Sequence, residues 1–282
     1  MEYAHPETLV STDWLADRLG DPTVAIVDGT WFLPGQGDGR AEYVKAHIPG
    51  AVFFDIDAIS DETTSLPHML PSAEKFGRLI GALGIGDDSH VVVYDRAALA
   101  SAARIWWELR AFGHERVSVL DGGMRKWVAE GRRVEPGVVT PTPKRFTARA
   151  NPALVRDVEQ LRANLASKRE QVLDARSAGR FAGNEAEPRP GLRPGHIPGS
   201  RNLPSTELVD ADKKTVLGAD VLAARFKGAG IDLAKPIVTT CGSGVTASLL
   251  ALGLHLIGHD ATAVYDGSWS EWGARTDTPV ER

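Results

Sequence analysis

The 282-residue chain has almost no cysteine: Cys241 is the only one. An internal disulfide is therefore excluded, and a cysteine-based metal site is not expected. The chain also lacks any dense Lys/Arg block, and its formal net charge is −5. Composition thus gives no support for a nucleic-acid or membrane-surface partner. Long apolar runs are missing too. The most apolar stretch, residues 247–258, is too short to span a bilayer and contains His255. Residues 1–6 carry no basic segment followed by an apolar one and do not read as a signal peptide. The expected location is the cytoplasm.

What is present is an ordinary globular balance, 43% hydrophobic and 24% charged, enough to bury a core in one large domain or two smaller ones. An internal repeat favours two. His47-Ile48-Pro49-Gly50-Ala51 returns as His196-Ile197-Pro198-Gly199-Ser200. Ala25-Ile26-Val27-Asp28 matches Gln171-Val172-Leu173-Asp174, and Val92-Val93-Tyr94-Asp95 matches Val238-Thr239-Thr240-Cys241. Phe112-Gly113-His114 matches Ile257-Gly258-His259. Leu120-Asp121-Gly122-Gly123 with Trp127 matches Tyr265-Asp266-Gly267-Ser268 with Trp272. The offsets all lie close to that between Asp28 and Asp174, 146 residues. A period this long marks a duplicated domain, not a solenoid.

Each copy alternates short apolar runs with amphipathic segments, the pattern of parallel βα units. The expected fold class is α/β, with two tandem domains, each a parallel sheet flanked by helices on both faces. The expected boundaries are 1–135 and 153–282. Between them residues 136–152 form a linker, rich in proline and threonine and poor in large apolar residues.

The copies differ at one strand end. The first has Asp95-Arg96-Ala97-Ala98-Leu99-Ala100, and the second has Cys241-Gly242-Ser243-Gly244-Val245-Thr246. The default role of a lone cysteine is a small buried hydrophobe. This one follows a predicted strand and precedes a predicted helix, where open α/β sheets bind ligands. Glycines let the loop amides turn inward, and the helix N-terminus adds positive potential. A cysteine so placed is expected to ionise below its usual pKa of about 8.5 and to act as a nucleophile. One active domain and one degenerate, supporting domain follow.

The loop from Cys241 to Ala247 resembles the active-site loop of 3-mercaptopyruvate sulfurtransferases, members of the rhodanese superfamily. His196-Ile197-Pro198-Gly199, Tyr265-Asp266-Gly267-Ser268-Trp269-Ser270-Glu271-Trp272 and Phe53-Phe54-Asp55-Ile56-Asp57 resemble the same family. The resemblance implies two rhodanese-like domains and a Cys241 persulfide, formed with a small-molecule sulfur donor and discharged to a thiol or other nucleophilic acceptor. A thioredoxin-like protein is one such acceptor. Pyruvate is released, and neither metal nor organic cofactor is implied. Thiosulfate-specific relatives typically carry Arg and Lys after the cysteine. Gly242 and Ser243 stand there instead, which points to a donor whose charge lies far from its sulfur.

The resemblance also assigns residues. Arg180 and Arg189 match positions held to bind the carboxylate and keto oxygens, a task suited to the planar guanidinium fork. Gly242, Gly244, Val245 and Thr246 join them in the substrate-binding loop. Ser243, His68 and Asp57 match a proposed proton relay, in which a carboxylate orients an imidazole. Arg176, Arg193, His47, His196, Asp28, Asp174 and the tandem Trp106-Trp107 read as structural. The rival readings are a thiosulfate sulfurtransferase and a non-catalytic sulfur carrier or interaction module. A phosphatase of the Cys-x5-Arg type is disfavoured, because Ala247 occupies the arginine position.

Overall fold

β-branched runs build the strands, and their alternation sends side chains to two buried faces. The computed structural model describes residues 2–282, so Met1, the first residue of the segment read for a leader, lies outside it. The first sheet contains β1 (Leu9–Val10), β2 (Val24–Asp28), β3 (Val52–Phe53), β4 (His90–Tyr94) and β5 (Val117–Leu120). The second contains β6 (Val155–Arg156), β7 (Gln171–Asp174), β8 (Arg201–Asn202), β9 (Ile237–Thr240) and β10 (Thr262–Tyr265). Their orders are β1-β5-β4-β2-β3 and β6-β10-β9-β7-β8, the same topology twice. Every pairing is parallel. Asp28 pairs with Tyr94 as Asp174 pairs with Thr240, so the register is duplicated as well. The expected α/β class with two parallel sheets is borne out.

The helices of the first half are α1 (Thr12–Ala16), α2 (Gly39–Lys45), α3 (Ala73–Ala82), α4 (Ala100–Ala111) and α5 (Gly123–Ala129). Those of the second are α6 (Val158–Ser167), α7 (Ala178–Phe181), α8 (Ala219–Gly228), α9 (Val245–Leu256) and α10 (Ser268–Trp272). Among the described residues no helix is long and apolar enough to cross a membrane. Val91 and Val93 of β4 enter one core, while Val92 and Tyr94 enter the core on the opposite face with Met124 and Trp127 of α5. The same split separates Ile237 from Val238 in β9.

One of these cores is shared by both halves. It runs from Val27, Val93 and Leu109 to Leu173, Leu249 and Leu252. Helices α4 and α9 pack against each other at its centre. Trp106 and Trp107 are buried there: Trp107 Nε1 donates to Leu154 O at 3.0 Å, and the Trp106 ring meets His255 of α9. An apolar interface this continuous fixes the domains relative to each other.

The segment between the sheets is an extended strap on the first domain. Lys144 N donates to Gly81 O, Arg149 N to Phe112 O and Asn151 N to Ala111 O. Phe146 is buried beside Phe76. A Cβ at Gly81 would lie 2.5 Å from Lys144 O, so the bare helix face lets the strap lie flat. The repeated His-Ile-Pro-Gly turns close each domain. His47 pairs with Glu135 and His196 with Glu281 through antiparallel bridges.

Candidate active site

The helix after β9 begins at an abrupt turn. Gly244, the N-cap of α9, has φ +79°, and a Cβ there would lie 2.5 Å from an Arg104 nitrogen. Only glycine meets both demands. The turn leaves Cys241 directly after the strand, 2% exposed, facing a cavity of about 230 Å³. Cys241, Gly242, Ser243, Val245, Thr246, Arg180 and Arg189 line it from the second domain. Trp31, Phe32, Leu33, Gln36, Ala97, Ala100 and Ser101 line it from the first. The site is therefore an interdomain cleft.

Two serines of the following turn pin the loop from behind. Ser268 Oγ accepts from the amides of Cys241 and Gly244, both at 3.1 Å, and donates to Tyr265 O at 2.8 Å. Ser270 Oγ donates to Gly242 O at 2.6 Å, and the Ser270 and Trp269 amides donate to Gly242 O and Cys241 O. The amides of Gly242, Ser243, Val245 and Thr246 have no protein acceptor among the described residues. Those of Val245 and Thr246 open α9 and so lack a carbonyl one turn back. These free donors suit an anion at the loop.

The two candidate arginines differ in charge balance. Arg180 lies against Glu187 Oε2, with its Nη2 at 2.5 Å. Glu187 also receives Arg176 Nη1 at 2.6 Å. Arg176 is buried, forked onto Asp174 and stacked over Trp269, a structural post. Arg193 is equally committed, to the carbonyls of Trp272, Gly273 and Thr278. Arg189 has no carboxylate within ion-pair distance among the described residues. Its Nη2 meets His68 Nε2 at 3.2 Å. Burial holds its pKa below the usual arginine value, with the Cys241 sulfur pulling the other way. Arg189 is thus the cation in the cleft whose charge is least compensated.

His68 is buried and left-handed, with φ +63°. Its Nδ1 stands 3.1 Å from Asp57 Oδ1, off the ring N–H axis, and Trp31 Nε1 donates to Asp57 Oδ2 at 3.1 Å. Burial pushes the His68 pKa down, and the neighbouring imidazole holds Asp57 below the usual carboxylate range. A neutral His68 accepts from Arg189 at Nε2, which leaves the proton on Nδ1 toward Asp57. Ser243 Oγ makes no protein hydrogen bond among the described residues. His68 lies against both Asp57 and Arg189, but Ser243 is not joined to them. His68 stands behind Arg189, not on the cavity wall.

Both halves match the model of the rhodanese-like domain, at residues 11–130 and 157–275. The chain belongs to the rhodanese family. It is 47% identical over 275 residues to the 3-mercaptopyruvate sulfurtransferase of Escherichia coli, a match covering 96% of this chain and 97% of that one. It is 45% identical over 274 residues to the thiosulfate sulfurtransferase of Mus musculus, covering 94% and 91%. The crystal structure of SseA from Escherichia coli, a 3-mercaptopyruvate sulfotransferase, superposes with a TM-score of 0.86 at 42% identity. It covers 93% of this chain and 98% of its own.

In this rhodanese-family chain the first domain also shapes the site. Arg104 of α4 is 0% exposed and reaches under the Cys241 loop at Gly244. It donates to Asp266 Oδ1 at 2.7 Å, to Glu108 Oε1 at 2.6 Å and to the carbonyl of His68. Asp266 Oδ2 in turn accepts from Leu70 N at 2.7 Å. Sequence reasoning missed Arg104, Ser268 and Ser270 as parts of the site. The family-like segment from Tyr265 to Trp272 and the repeat of Asp121 as Asp266 were the available signals, and neither could say what these residues hold.

Proposed function

We propose that this protein transfers sulfur from 3-mercaptopyruvate to a nucleophilic acceptor through a persulfide on Cys241. The observation that carries the reading is the charge layout of the cleft. Neutral Gly242 and Ser243 follow the cysteine, while Arg180, packed close over Gly242, and Arg189 line the same cavity. A donor with a neutral sulfur end and a carboxylate end fits that layout. The Cys241 thiolate attacks the donor sulfur, and the carbon–sulfur bond breaks. Its electron pair leaves on pyruvate enolate, which takes up a proton. The transferred sulfur is held by the free loop amides, preorganised as in an oxyanion hole. Ser243 Oγ, unoccupied by other partners, is the hydroxyl best placed to pass the proton. His68 and Asp57 act on Arg189. A thiol then removes the outer sulfur and regenerates the thiolate; a thioredoxin-like protein would serve. A reducing compartment such as the cytoplasm suits a cycle that needs Cys241 unoxidised.

Mass spectrometry after incubation with 3-mercaptopyruvate tests the reading. The expected result is one added sulfur on Cys241, absent in Cys241→Ser. An active enzyme with no adduct would refute the persulfide route. The second reading, a thiosulfate donor, is kept by the 45% identity to the mouse thiosulfate enzyme. A kcat/KM ratio favouring thiosulfate would establish it instead. Stable loading without turnover by any thiol would point to a carrier module.

A further inference from the structure

The duplication places a second cavity beside the degenerate loop. It measures about 190 Å³ and is lined by residues 95–99 together with Gly122, Arg125 and Lys214. Asp95 stands where the other copy has Cys241, and its carboxylate is saturated. Oδ1 accepts from the amides of Ala97 at 2.9 Å and Leu99 at 3.0 Å. Oδ2 accepts from Ser101 Oγ and from the Ala102 amide, both at 3.0 Å. The side chain consumes the donors that the cysteine loop keeps free.

Three cations converge on this cavity. The side chains of Arg125 and Lys214 make no hydrogen bond or ion pair among the described residues; the Lys214 amide donates to Asp210 O. Arg96 spends Nη2 on the carbonyls of Glu42 and Ala46, and its buried Nε has no partner. Arg96 feels Asp28 and Glu42 from beyond ion-pair distance. The one acid on the cavity wall is already satisfied by four donors, and Asp210, which feels Lys214 from beyond ion-pair distance, lies off that wall.

Lys214 comes from the other domain, and its position repeats that of His68. Both are left-handed, at φ +58° and +63°. Two residues on, Val216 N donates to Asp121 Oδ1 at 2.8 Å, as Leu70 N donates to Asp266 Oδ2. One scaffold therefore sets His68 behind Arg189 in one cleft and Lys214 on the cavity wall of the other.

We propose that this cavity binds a small divalent oxyanion of the sulfate or phosphate type, held between Arg96, Arg125 and Lys214 across the domain boundary. No transfer follows binding, because Asp95 offers no sulfur nucleophile. The Cys241 loop carries no cation of its own, whereas Arg96 stands in the matching Asp95 loop.

Titration calorimetry with sodium sulfate and with sodium phosphate, against chloride at matched ionic strength, tests the site. The unmodified chain and Arg189→Ala are expected to bind equally well, because Arg189 lies in the other cavity. Arg125→Ala/Lys214→Ala is expected to bind at least tenfold more weakly with an unchanged near-UV circular dichroism spectrum. Neither side chain makes a contact that the fold needs. Crystals of the unmodified chain soaked in selenate should show an anomalous peak between Arg96, Arg125 and Lys214. Binding lost in Arg189→Ala but kept in the double variant would move the anion to the catalytic cleft and overturn the proposal. Equal heats in sulfate and chloride would overturn it as well.

Discussion

Arg104 and Asp266 meet at 2.7 Å across the domain boundary, and both are buried. The pair joins α4 of the first domain to the turn that follows β10. Through Leu70 N and His68 O it also anchors the loop that carries His68. The first domain therefore holds both the underside of the cysteine loop and the histidine behind Arg189.

Arg104→Ala would leave Asp266 and Glu108 buried without their counter-charge. Breaking one partner of a buried pair costs about 3–5 kcal/mol. Urea unfolding should show a loss of that order, and sulfur transfer at a temperature where the variant stays folded should also fall. Arg104→Lys should rescue it only partly, because an ammonium cannot fork between Asp266, Glu108 and the His68 carbonyl. Full activity in Arg104→Ala would show that the anchoring is dispensable.

Glu108 gives a pH signature. Burial pushes its pKa up to about 7 from an ordinary 4.5, with Arg104 opposing, and its Oε2 has no partner. A carboxyl raised in the folded state binds more protons folded than unfolded between those two values. Its contribution is therefore fully present below about pH 4.5 and is lost as pH rises through about 7. Glu108→Gln removes this titration. Measured from pH 5 to pH 8, its stability relative to the unmodified chain should rise by about 2–3 kcal/mol. A pH-independent difference would contradict the shift.

Arg189→Ala and Arg180→Ala should separate. Arg189 has no carboxylate partner, so its interaction with a donor carboxylate is undiluted. A charge-assisted bond of about 1.5–3 kcal/mol corresponds to a roughly 10- to 150-fold loss in kcat/KM for mercaptopyruvate. Arg180 shares Glu187 with Arg176, so its removal should cost less. Steady-state kinetics showing the reverse order would make Arg180 the principal clamp.

Ser243→Lys should shift donor preference. A cation beside the Cys241 sulfur attracts the thiosulfate dianion and gives little to a neutral donor sulfur. The thiosulfate-to-mercaptopyruvate ratio of kcat/KM should rise about tenfold, the equivalent of about 1.4 kcal/mol. An unchanged ratio would mean that charge next to the sulfur does not set the donor.

The sequence by itself determined the duplication and the parallel α/β class, and it placed the lone cysteine at a strand end before a glycine-rich turn. Those are written in local patterns: apolar runs of strand length, a glycine-rich turn and a repeated order of short motifs. It also singled out Arg180, Arg189, His68 and Asp57, through a likeness spread along the chain. Which of these meet was decided only by the tertiary structure. His68 turned out to face Arg189 and not Ser243, because its loop is fastened to the opposite domain through Arg104 and Asp266. Long-range charge pairing leaves no periodic trace in a sequence, so Arg104 reads there as one more helical arginine. The stretch 136–152 likewise looked like a plain linker. Its docking on Gly81 and Phe112 depends on helix surfaces that exist only once the first domain has folded.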